Sequence, residues 1–254
     1  MTQFHHENFD DPVKPQGWET WSANEPSPLS WNGSELLLTK GAGFAHGVFY
    51  QFQAKTNIEV EFRFRASAIP TNFIEIADLY DAHLNETDLN EECNIYYHRD
   101  GRISLFIGWG SIKIAEPIPV GQWIWLRLRY TVIEGITSSG DLAWSKDRIY
   151  PTSGSRFIAS SRGYYSKPVK MLLFGPVTQT GIVFAYDDLT LYSSSEVSMQ
   201  PVGDLRATWI GNSIIAEWTD KSVGISGHEL EMRIRPVSGQ TFGPWSNEIL
   251  IPRK

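Results

Sequence analysis

The stretch Gly181-Ile-Val-Phe-Ala-Tyr-Asp-Asp-Leu-Thr-Leu-Tyr192 reads as an apolar strand that runs into paired carboxylates and out through Leu189 and Leu191. A near-echo, Asn8-Phe9-Asp10-Asp11, lies just inside the N-terminus. Two aromatic segments carrying Asp-Asp, one at each end of the same region, predict that its first and last strands lie side by side. The segment between them then has to supply the rest of a closed β unit.

Working inward, Asn57-Ile-Glu-Val-Glu-Phe-Arg-Phe-Arg65 puts Ile58, Val60, Phe62 and Phe64 on one face and Glu59, Glu61, Arg63 and Arg65 on the other. Such alternation belongs to a strand with one face on a core and one turned outward. Gly121-Gln-Trp-Ile-Trp-Leu-Arg-Leu-Arg129 repeats the pattern, with Ile124, Leu126 and Leu128 inward and Trp123, Trp125, Arg127 and Arg129 outward. Between them, Cys93 to His98 and Ile103 to Trp109 flank Asp100-Gly101, a pair favoured in two-residue hairpin turns. That register sets Tyr97 opposite Ser104, on the face away from Ile103, Leu105 and Ile107. No stretch carries a helical period of useful length. The fold class is all-β, a jelly-roll-like antiparallel β-sandwich over 1–195, with a small β module over 200–254.

Composition narrows the function. The 254 residues carry a net charge of -7, which disfavours nucleic-acid binding, since phosphate contact requires a basic surface. No apolar run has the length of a membrane span. The single cysteine, Cys93, forms no intramolecular disulfide. The first residues lack a basic segment followed by an apolar one, so synthesis and release in the cytoplasm are expected. Ten tryptophans supply flat faces of the kind that stack on sugars. The outward aromatic and basic residues Tyr97, Trp109, Trp123, Trp125, Arg127, Arg129, Tyr164 and Tyr165 are the candidate carbohydrate-binding set. Asp10, Asp11, Asp187 and Asp188 would converge if the terminal strands pair, which makes them candidate ligands for calcium, a hard cation. The acidic stretch 78–92 is a second candidate.

The first 195 residues resemble the concanavalin A-like, laminin G-like sandwich superfamily, on Glu7-Asn-Phe-Asp-Asp11, Gly121-Gln-Trp-Ile-Trp-Leu-Arg-Leu-Arg129 and Phe184-Ala-Tyr-Asp-Asp-Leu-Thr-Leu-Tyr192. The resemblance implies a sandwich, frequent glycan binding and often a bound calcium ion. Residues 200–252 resemble a fibronectin type III module, on Pro201-Val-Gly-Asp-Leu205, Ile214 to Trp218 and Ile225 to Arg235, with strands missing. A hydrolase of the superfamily would resemble the laminarinases, whose alternate carboxylates on one strand face the substrate. In Ile74-Glu-Ile-Ala-Asp-Leu-Tyr-Asp81 the spacing puts Glu75 and Asp78 on opposite faces of a regular strand. No catalytic pair is therefore expected, and the chain reads as non-enzymatic. Two modules of extracellular type without a signal segment fit a phage virion component: a tail, fibre, baseplate or capsid-decoration protein. Its expected partners are other virion proteins, copies of itself and a cell-surface glycan. The alternative is a bacterial glycan-binding or polysaccharide-processing protein.

Overall fold

The computed structural model describes residues 1–22, 30–31, 33–40, 46–83, 90–107, 110–114, 116–133, 137–152, 154–162 and 166–194 of a first unit, and 203–210, 213–219, 230–232, 237–238, 241–242 and 249–251 of a second. The chain divides at Glu196/Val197. In the first unit the strands are β1 (Thr2–Glu7), β2 (Trp18–Ser22), β3 (Ser30–Trp31), β4 (Leu36–Thr39), β5 (His46–Lys55), β6 (Asn57–Ala66), β7 (Ile74–Tyr80) and β8 (Glu91–Tyr97). They continue as β9 (Ile103–Ile107), β10 (Gly110–Lys113), β11 (Ile124–Ile133), β12 (Thr137–Ser145), β13 (Arg156–Arg162), β14 (Val169–Val177) and β15 (Val183–Ser193). Described residues include no helix.

Two antiparallel sheets face one another. The eight-stranded sheet runs β13-β12-β11-β6-β15-β4-β3, with β1 also on β15; the seven-stranded sheet runs β10-β9-β8-β7-β14-β5-β2. The fold class is thus the expected all-β sandwich. β15 is the hinge of the design. One edge pairs with β6, and the other is divided between β4, opposite Val183 to Tyr186, and β1, opposite Leu189 to Ser193. Glu7 lies opposite Leu189, so the first and last strands meet as the Asp-Asp echo predicted.

The core follows from alternation. Ile58, Val60, Phe62 and Phe64 of β6 are fully buried, and Ile124, Leu126, Leu128 and Tyr130 of β11 join them. Across the layer Phe174 of β14 stacks on Tyr186 of β15 with ring centroids 4.3 Å apart. The Tyr186 hydroxyl, buried with its ring, donates to the Ile76 carbonyl of the opposite sheet at 2.9 Å. A polar tip on a core ring is tolerated because that bond is made.

The second unit, residues 197–254, contains β16 (Gly203–Ile210), β17 (Ser213–Thr219), β18 (Leu230–Met232), β19 (Val237–Ser238), β20 (Thr241–Phe242) and β21 (Ile249–Ile251). Among its described residues these form three separate two-stranded ladders, β16-β17, β18-β21 and β19-β20.

Candidate functional site

The outward residues of β11 gather as the alternation requires. In register, Trp125 faces Arg63 of β6, Arg127 faces Glu61 and Arg129 faces Glu59. The rings and cations satisfy each other. Trp123 takes the Arg63 and Arg65 guanidinium groups at 4.7 and 4.8 Å, Trp125 takes Arg148 at 4.5 Å, and Tyr150 takes Arg127 at 4.2 Å. Carboxylates complete the lattice: Arg63 with Asp187 at 3.0 Å, Arg65 with Glu35 at 2.6 Å, and Arg156 with Asp141 through two bonds of 2.8 and 2.7 Å. Arg129 binds Glu59, and Arg148 binds Glu61. Trp123 and Trp125 are half-buried, so the face is open, with its arginine heads against rings and carboxylates and Arg127 Nε left without a hydrogen-bond partner.

Tyr97 does not join this set. It lies in the core with no exposure. The hairpin carries a three-residue loop, closed by His98 N–H to the Arg102 carbonyl at 2.9 Å, with Gly101 in the left-handed region at φ 78°. A type I turn followed by a left-handed glycine adds one residue over the two-residue turn expected from Asp-Gly. Tyr97 therefore pairs with Ile103 rather than Ser104, and the one-residue slip turns it to the core. Trp109, Tyr164 and Tyr165 lie outside the described residues.

The four aspartates, Asp187 and Asp188 in β15 and Asp10 and Asp11 just after β1, do not fit a cation. Arg63 already reaches Asp187 at 3.0 Å and Asp188 at 3.4 Å. Asp10 accepts from the Asn8 amide at 2.6 Å, and Asp11 caps the Val13 N–H at 2.9 Å. Burial, then the Asp188 charge, raises the Asp187 carboxyl to about 6, with Arg63 opposing. Positive charge is supplied there by the protein itself.

A second constellation occupies the outer face of the seven-stranded sheet. The β7 register shifts between Glu75, opposite Tyr96, and Ala77, opposite Ile95. This bulge inserts one residue, so Ile76 and Ala77 are both buried while Glu75 and Asp78 emerge on the same outer face. With Glu91 of β8 they bring one carboxylate oxygen each within 4.8 Å of the others. Asp78 has no exposure, Glu75 is half-buried and Glu91 is exposed. The Tyr80 hydroxyl donates to Glu91 at 3.3 Å, and the Asn94 amide donates to Glu91 at 2.8 Å. Burial, then the charge of Glu91, raises the Glu75 carboxyl to about 7. Burial, then the charges of Glu75 and Glu91, raises Asp78 well above the carboxylate range.

Aromatic rings continue from this cluster. Tyr96, whose hydroxyl reaches Glu75, meets Phe73 edge-on at 5.4 Å and Phe106 at 6.2 Å. His98 lies 6.4 Å from Phe73 and shares a 2.6 Å hydrogen bond with Ser104. Phe73 is 53% exposed, a large apolar ring offered to solvent. On the same face Phe49, Tyr80, Met171 and Leu173 pack as a small buried floor. Strict alternation hid the cluster. The available signal was a pair of carboxylates inside an otherwise apolar strand, a placement that costs free energy unless the site uses it.

No family model matches the sequence, and no curated protein matches it. Solved structures similar to it include an endo-β-1,4-glucuronan lyase from the fungus Trichoderma reesei, 12% identical, over 76% of this chain and 96% of that one, with a TM-score of 0.48. An alginate lyase from Aplysia kurodai is 7% identical over 76% and 90%, with a TM-score of 0.48. Lectin II from Ulex europaeus is 11% identical over 76% and 100%, with a TM-score of 0.47. The fold class, an antiparallel β-sandwich, rests on the strand pairing itself. The expectation of a non-enzymatic chain is corrected here. Polysaccharide lyases stand among the similar structures, and the β7 bulge brings Glu75 and Asp78, expected on opposite faces, to one face.

Proposed function

We propose that this is a carbohydrate-active protein whose sugar site is the outer face of the seven-stranded sheet. One observation carries the reading: the Phe73–Tyr96–Phe106 aromatic ladder meets the Glu75–Asp78–Glu91 cluster through Tyr96 on one face. Rings offer flat surfaces to the C–H faces of sugars, and carboxylates and the Asn94 amide take hydroxyls. Lectins and polysaccharide lyases among the similar structures are consistent with this. Affinity electrophoresis through gels containing neutral and acidic polysaccharides tests it. Phe73→Ala and Tyr96→Ala should each weaken retardation about tenfold, the loss of roughly one stacking contact. If only Trp123→Ala and Trp125→Ala do so, the sugar sits instead on the eight-stranded face. Incubation with the retained polysaccharide, read by new chain ends, then measures turnover.

The wider setting we propose is a virion, with glycan contact at a host surface and other virion proteins as partners. The combination of a lectin-like sandwich with a small second β unit supports it. Tail and capsid genes beside the coding sequence would bear it out; sugar transporters and hydrolases would sink it.

A further inference from the structure

On the outer face of the eight-stranded sheet the carboxylates are not shared evenly among the cations. Arg129 takes Glu59, Arg148 takes Glu61, and Arg156 takes Asp141 through two bonds of 2.8 and 2.7 Å. Arg127 is left over. Its side chain is 13% exposed, and it stands 4.0 Å from Asp141 Oδ2, beyond hydrogen-bond reach of an oxygen that Arg156 already holds. Its Nε is buried without a partner. Burial, then the Arg129 charge, lowers its pKa, because both disfavour the charged form. A largely buried guanidinium, rich in fixed N–H donors, is therefore short of an anion.

Tyr150 covers it. Residues 146–152 leave the end of β12, and the Tyr150 ring lies 4.2 Å from the Arg127 guanidinium. The ring offers Arg127 a π-face but no acceptor in line with its N–H groups. The Tyr150 hydroxyl meanwhile donates to Glu61 at 2.7 Å. Arg148 is anchored separately, on Glu61 at 2.8 Å and over the Trp125 ring at 4.5 Å, so Tyr150 can swing out while the rest of the strap stays down. Ile149, between the two, is 75% exposed and adds no buried apolar contact. A segment held by polar contacts near solvent opens at low cost.

We propose that Tyr150 is a movable roof over an acid-binding site, in which Arg127 takes the carboxylate of a small hydroxy acid and Glu61 takes its hydroxyl. The guanidinium fork matches a carboxylate through charge-assisted bonds that a tyrosine ring cannot supply. Glu61 already accepts a hydroxyl, that of Tyr150, so a ligand hydroxyl replaces like with like. A bare carboxylate satisfies Arg127 alone, and a neutral polyol satisfies Glu61 alone. A molecule carrying both groups replaces every contact the roof makes and adds the missing anion. The site belongs to the eight-stranded sheet and does not depend on a sugar bound to the other one.

The test is calorimetric titration of gluconate into the full chain, with sorbitol and acetate as the counterparts that lack the carboxylate and the hydroxyls. A dye on Ile149→Cys, at an exposed position while the native Cys93 is buried, follows the strap. Gluconate should bind at one molecule per chain and shift the dye emission, and sorbitol and acetate should bind at least about tenfold more weakly. Tyr150→Ala removes the roof and should tighten gluconate binding about tenfold, since the open state no longer has to be drawn from a minor population. Tyr150→Phe, which keeps the ring and loses the bond to Glu61, should tighten it by a smaller factor and keeps the test valid should Tyr150→Ala fail to fold. Arg127→Gln should lose binding, and Arg127→Lys, with the charge but not the fork, should recover part of it. Weaker binding in both Tyr150 variants would overturn the roof. Equal binding of sorbitol, unchanged affinity in Arg127→Gln, or no heat from any of these proteins at millimolar gluconate would overturn the site. No polysaccharide and no residue of the seven-stranded sheet enters the titration, so failure here and failure of the carbohydrate reading are read separately.

Discussion

His5 carries a pH effect outside the carboxyl cluster. Its ring stacks on Tyr50 with centroids 4.0 Å apart, and Nε2 is buried without a partner. Burial, helped by the neighbouring His6 charge, lowers its pKa from 6.5 to about 4. A depressed folded pKa means the unfolded chain takes the proton first as the solution is acidified, so stability is present above pH 6.5 and is lost as the pH falls toward 4. Allowing for the ring's partial exposure, the loss is about 2 kcal/mol. His5→Phe keeps the stacking and should flatten that part of the profile, as urea denaturation at stepped pH would read. Parallel profiles for the two proteins would remove His5 from the account. Gly140 makes a packing point at the same scale. A Cβ there would stand 2.5 Å from Ile107 Cδ1 and 2.9 Å from Leu105 Cδ2, where β12 presses on the opposite sheet. Gly140→Ala should cost about 1–3 kcal/mol by overpacking, measured as a lower urea midpoint with an unchanged slope.

At the scale of elements, the regular strands were readable and the irregular ones were not. β6 and β11 followed from alternation alone, because each buries one face and a period of two leaves no other choice. The β7 bulge and the three-residue loop after His98 each add one residue, and each addition inverts a face. That single mechanism took Tyr97 into the core and brought Glu75 and Asp78 together. Pattern reading assumes an unbroken period, so the candidate site was hidden where the period breaks. A second irregularity has a visible restraint. Arg148 adopts a left-handed backbone at φ 65°, uncommon for a residue with a Cβ. Glu61, 5% exposed in the middle of β6, accepts from Arg148 Nε at 2.8 Å and from the Tyr150 hydroxyl at 2.7 Å. The β12–β13 connection is thereby tied down onto the sheet. Glu61→Ala should cost about 2–3 kcal/mol, since it strands two partly buried donors. It should also open residues 146–152 to limited proteolysis. Glu61→Gln, which keeps an acceptor for Tyr150, should fall between the two. An unchanged digestion pattern in Glu61→Ala would show that the local Ser145–Asp147 bond at 2.9 Å holds the loop by itself.

For the whole molecule, the pairing of β1 with β15 closes the first unit on itself, and the large core cluster lies entirely within residues 1–196. Expressed as 1–196, this unit should unfold in one cooperative transition, because two sheets of eight and seven strands enclose a shared core. Residues 198–254 should behave differently. Their described strands make only two-stranded ladders, and an isolated ladder of that kind is marginal in water. No metal motif or disulfide compensates, since the chain's one cysteine, Cys93, lies in the first unit. The sequence nonetheless puts Trp209, Trp218, Phe242 and Trp245 into this short span, an aromatic load suited to burial against another surface. The expected result for isolated 198–254 is a broad, non-cooperative melt with fluorescence of solvent-exposed indole, sharpened by addition of whatever surface it docks on. Urea and thermal unfolding of that fragment, at a concentration where sedimentation confirms a monomer, decides the point. A sharp two-state transition there would establish that the second unit folds on its own, and the aromatic residues would then have to be accounted for by a core of its own.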